Sequence, residues 1–63
     1  MSTIVHAIAL TREIALEYGE SITDDEASYI LWNETGWPCF WPRNNRPNIA
    51  LRVQLREFFI RRA

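Results

Sequence analysis

Few side chains in this 63-residue chain could carry out covalent or acid-base chemistry. Cys39 and His6 are the single cysteine and the single histidine. To act as nucleophile and base they would have to meet in the fold, and nothing in their spacing marks them as a pair. With one of each, neither an internal disulfide nor a Cys/His metal cluster can form. Glu13, Glu17 and Glu20 recur within a turn or two of a helix and read as a solvated face rather than as a paired acid and base. No glycine-rich phosphate loop and no GxSxG elbow occurs. The expectation is a non-enzymatic protein that uses no cofactor and no metal.

Binding is the other chemistry these residue types offer. Residues 37–42 read Trp37-Pro38-Cys39-Phe40-Trp41-Pro42, three aromatics and two prolines in six positions. Aromatic side chains carry large burial energies and dominate interface hot spots, and prolines stiffen the backbone so that docking costs little entropy. One reading makes Trp37, Phe40 and Trp41 partner-binding anchors, with Arg43 and Arg46 as a charged rim. The other makes Trp32, Trp37 and Phe40 part of the core, joining the flanking segments across a long loop.

The net charge of -1 conceals an asymmetry. Residues 1–34 carry seven acids against Arg12, and residues 35–63 carry six arginines against Glu57. The acidic half is expected to lie against the basic half. A sharper alternative is nucleic-acid binding through Arg52, Arg56, Arg61 and Arg62, with aromatics stacking on bases. All seven basic residues are arginine, a bias that codon usage in a GC-rich genome explains as readily as bidentate recognition does.

Three helices should position these residues. Ile4, Ala7, Ile8, Thr11, Ile14, Ala15 and Tyr18 share one side of a helix over residues 3–18, and Gly19 fits its left-handed end. Val5, Ala9 and Leu16 add a weaker second stripe, which hints at a further neighbour. Thr23-Asp24-Asp25-Glu26 is a capping box opening a helix over 23–35, with Ala27, Ile30 and Leu31 as its apolar face and Tyr29 and Trp32 flanking it. Gly36 at its end would bring Trp37 back onto Trp32. The third segment, 47–61, is ambiguous. Ile49, Leu51, Val53 and Leu55 alternate like a strand, while Leu51, Leu55, Phe58 and Phe59 recur like a helix. Its length, its Leu/Arg/Gln/Glu content and the lack of a second strand favour helix, with Asn45 or Asn48 as a cap.

A helix-turn-helix reading of the first two helices fails. Glu20 follows the turn glycine, and Asp24, Asp25 and Glu26 would be driven against phosphates. No stretch is apolar enough to span a bilayer, and the N-terminus lacks the basic flank and apolar run of a signal peptide. The lone cysteine fits a reducing compartment, so a cytoplasmic protein is expected.

The run from Thr23 through Leu31-Trp32-Asn33-Glu34-Thr35-Gly36-Trp37-Pro38 to Trp41, followed by Leu51-Arg52-Val53-Gln54-Leu55-Arg56-Glu57-Phe58-Phe59, resembles the short accessory proteins of bacteriophages that infect high-GC actinobacteria. In those, an acidic cap precedes an LW..TG(W/F)P segment and a second amphipathic helix. The resemblance covers residues 23–59 and implies an origin more than a mechanism. Together these readings predict one all-α, three-helix mini-domain over residues 1–63, with a long aromatic and proline-rich loop at 36–46. It would act as a protein-interaction module binding a host or phage protein. A homo-oligomer, with Ile49, Val53 and Ile60 buried between copies, is a third reading.

Overall fold

Leu51, Leu55 and Phe59 resolve the ambiguous third segment: all three are fully buried, at helical spacing, along a continuous α-helix. The computed structural model describes residues 3–35, 37 and 49–62. They form α1 (Thr3–Glu17), α2 (Asp24–Glu34) and α3 (Ile49–Arg62), with no strand among the described residues. The chain is thus an all-α three-helix domain, with ends within two residues of those expected. The capping candidates Asn45 and Asn48, and most of the 36–46 loop, lie outside the described residues.

Helix α1 is the central element. α2 and α3 each pack against it, while their contact with one another is slight. Its buried arc comprises Ala7, Leu10, Thr11, Ile14 and Ala15, with Ile4, Ile8 and Tyr18 half-buried at the edges. Leu10 was not on the face read from the sequence; α1 turns a wider arc inward because it serves two neighbours. Thr11, the one polar residue of the core among the described residues, satisfies its hydroxyl by donating to Ala7 O at 2.8 Å. The second neighbour does not cover the weaker stripe: Val5, Ala9 and Leu16 remain exposed.

The turn after α1 is a Schellman motif. Gly19 has φ of 77°, its N–H donates to Leu16 O at 3.0 Å, and Glu20 N–H donates to Ala15 O at 2.9 Å. A side chain at position 19 would meet open space, so only the left-handed backbone selects glycine there. The capping box then starts α2. Thr23 Oγ1 accepts from Glu26 N–H at 3.2 Å, and Glu26 Oε1 accepts from Thr23 N–H at 3.2 Å. Asp24 on α2 pairs with Arg12 on α1 at 2.8 Å. Two strong local signals therefore fix the α1–α2 corner before any tertiary packing is counted.

Replacing Gly19 with Ala should cost about 1 kcal/mol by forcing a side-chain-bearing residue into the left-handed region. Thr23→Ala should cost about 1 kcal/mol through loss of the cap. In a domain of this size each should lower the thermal midpoint by about 4–8 °C, read by circular dichroism. An unchanged midpoint in both variants would contradict the corner described here.

Candidate interaction surface

The end of α2 is where the expected anchor Trp37 can be placed. Thr35 leaves the helix in extended conformation, and its hydroxyl donates to Leu31 O at 2.7 Å and accepts from Trp37 N–H at 3.2 Å. That doubled contact turns the chain back, and Trp37 meets Trp32 edge to face with ring centroids 4.9 Å apart. The contact expected from the sequence is present, but the roles of the two rings are reversed from the binding reading. Trp37 is 7% exposed and belongs to the core, so it is not available as a docking anchor. Trp32, grouped with the core in the alternative reading, is 57% exposed. The reason is the helix wheel. Ala27, Ile30 and Leu31 take the inward side, and Tyr29 and Trp32 lie on the opposite side.

Tyr29, 65% exposed, and Trp32 stand one turn apart in the middle of the solvent face of α2. Asn33 Nδ2 donates to Tyr29 O at 2.9 Å beside them. Every charge on this helix is negative: Asp24, Asp25, Glu26 and Glu34. Asp24 is engaged by Arg12 and Glu26 by the cap, while Asp25 and Glu34 have no ion pair among the described residues. The surface thus offers two aromatic π-faces, Trp32 resting on a buried indole, with the Asp25 carboxylate one turn before Tyr29, while Glu34 lies on the other side of the helix toward α3. Such a surface suits a guanidinium or ammonium on an apolar stem.

The acidic half does lie against the basic half. Arg56 on α3 reaches Glu17 at the end of α1 at 3.3 Å, and Arg62 reaches Glu20 at 2.9 Å. Arg62 also sits 5.2 Å over the Phe58 ring. Two of the four arginines of the nucleic-acid reading, Arg56 and Arg62, are therefore occupied by carboxylates. Arg61 is exposed and Arg52 half-buried, on different sides of α3, so the four make no continuous phosphate track. Phe40, Trp41, Arg43 and Arg46, the rest of the loop candidate, lie outside the described residues, as does Cys39.

A groove lined by Glu34, Gln54, Glu57, Phe58, Arg61 and Arg62 runs between the ends of α2 and α3. Its lining carries two acids and two arginines and no nucleophile. His6 is on the exposed side of α1. Among the described residues no three His, Cys, Asp or Glu side chains converge as a metal site, and no helix is long and apolar enough to cross a membrane. No family model, curated protein or solved structure matches the chain.

The two tryptophans should separate cleanly on substitution. Trp37→Ala should cost about 3–5 kcal/mol, as for a buried aromatic. Trp32→Ala should cost no more than about 1 kcal/mol, the worth of its ring contact. Denaturant unfolding of both variants checks this, and equal losses would contradict the assignment of Trp32 to the surface.

Proposed function

We propose that the chain is a non-enzymatic protein-interaction module that docks a partner protein on the solvent face of α2, with Tyr29 and Trp32 as anchors. The observation that carries this reading is the exposure of two large aromatics, one turn apart, over a buried Trp37 that holds Trp32 in place. Hot spots are rich in Trp and Tyr because these side chains bury much area with few rotamers to freeze. Asp25 beside the two π-faces favours a partner segment with arginine or lysine among apolar residues, through charge and cation–π contact. In the phage setting that the sequence resemblance implies, the partner is a host or phage protein in the host cytoplasm, occupied in order to block or redirect it. The nucleic-acid alternative is less well supported, because Glu17 and Glu20 already hold Arg56 and Arg62.

Affinity capture from actinobacterial lysate, with nuclease-treated samples alongside, comparing wild type with a folded Tyr29→Ala/Trp32→Ala variant, tests the reading. The expected result is a discrete protein retained by the wild type and lost by the variant, with an affinity loss of about 2 kcal/mol or more once the partner is purified. Equal retention by both, or capture of nucleic acid alone that an Arg52→Ala/Arg61→Ala variant abolishes, would overturn it.

A further inference from the structure

On the far side of α3 from its buried face, Ile49 is 75% exposed, Val53 49% and Ile60 60%. With Arg56 they fall at alternating four- and three-residue steps along one line, the d-a-d-a seam of a heptad pattern. In the same register Arg52 occupies a g position and Glu57 the following e position. We infer that this face pairs with the same face of a second copy of the chain, the two α3 helices running parallel.

Charge complementarity selects the occupant and its direction. In a parallel pair, the g position of one helix lies beside the following e position of its partner, so Arg52 meets the partner's Glu57 and the partner's Arg52 meets Glu57. That gives two opposite-charge contacts by symmetry. An antiparallel pair would put Arg52 beside the partner's Phe59 and Glu57 beside the partner's Ala50, with no charge matched. The exposed stripe of α1 has a similar spacing, with Val5, Ala9 and Leu16 around Arg12, but its flanks are His6 and Glu13 on one side and Ile8 and Ala15 on the other. Self-pairing there would set Glu13 against Ile8. Pairing α1 with the partner's α3 would match a single charge, Arg52 with Glu13, against the two matched by symmetry when α3 pairs with itself.

Arg56 occupies the seam without breaking it, because Glu17 of its own chain draws the guanidinium aside, with contacts of 3.3 and 3.4 Å. A polar residue at one seam position lowers stability while fixing register. Three aliphatic side chains per copy cover far less than the roughly 800 Å² per partner of a standard interface. The dimer is accordingly weak and depends on concentration. It uses a different helix from the α2 docking face, so either can fail without the other.

Sedimentation equilibrium of the whole chain under reducing conditions, from micromolar to millimolar concentration, tests the inference. The expected mass rises from the monomer's 7.5 kDa toward twice that value. Val53→Glu, with its helical circular dichroism retained, should raise the dissociation constant by about tenfold or more, and Ile60→Gln supplies the same test if the first variant loses helicity. Arg52→Glu alone should weaken the dimer about tenfold, and Arg52→Glu with Glu57→Arg should restore it. A mass fixed at the monomer value throughout, undiminished association of the seam variants, or failure of the charge-swapped double variant to recover would overturn it.

Discussion

The packing of the described helices depends on α1 having two neighbours and one wide buried arc to serve them. α2 and α3 scarcely touch, so each is held in place by what it buries against Ala7, Leu10, Thr11, Ile14 and Ala15. The two alanines let backbones approach closely, and Thr11 returns its hydroxyl to the Ala7 carbonyl, so no polar atom of that residue is left unsatisfied in the interior. The same helix also supplies the electrostatic ties. Arg12 binds Asp24 at the start of α2, and Glu17 binds Arg56 on α3. These exposed pairs contribute little energy each, of order 0–1 kcal/mol. Which face of each outer helix turns away from α1 is set instead by the apolar residues it buries, Ala27, Ile30 and Leu31 on α2 and Leu51, Leu55 and Phe59 on α3.

What turns away is unusual for its order rather than its amount. Much of any protein's surface is apolar, and a single exposed leucine needs no explanation. Here the exposed apolar residues are aligned: two aromatics at the centre of the α2 solvent face, and three aliphatics along the seam of α3. A 63-residue chain buries only about 60% of the surface of its unfolded state, so apolar side chains placed outward are withheld from an already small core. The proposed partner and the inferred second copy both give those side chains something to pack against. The groove at the ends of α2 and α3 offers no comparable chemistry.

The fold was legible because local signals agreed with periodicity. The capping box at Thr23 and the left-handed Gly19 mark the corner between α1 and α2, and both stand as read. The apolar arc of α1 was read nearly in full, Leu10 aside, since its place depends on α3 arriving from a direction that sequence does not give. The candidate site was harder to read. Whether Trp32 or Trp37 faced outward could not be told from composition, because both are aromatic and adjacent in space. Their burial is decided by the angular position of Trp32 opposite Ala27, Ile30 and Leu31, and by Thr35 folding Trp37 beneath it. A helical wheel of α2 held the signal for Tyr29 and Trp32, while the density of aromatics at 37–42 drew the reading toward the loop.

Hydroxyl-radical footprinting of the free protein at micromolar concentration, read residue by residue by mass spectrometry, tests the central assignment most directly. If the solvent face of α2 is the surface described here, Tyr29 and Trp32 oxidise rapidly and Trp37 slowly. If Trp37 oxidises as fast as Trp32, or Tyr29 and Trp32 are protected in the monomer, the aromatic face belongs to the core and the proposed docking surface is not there.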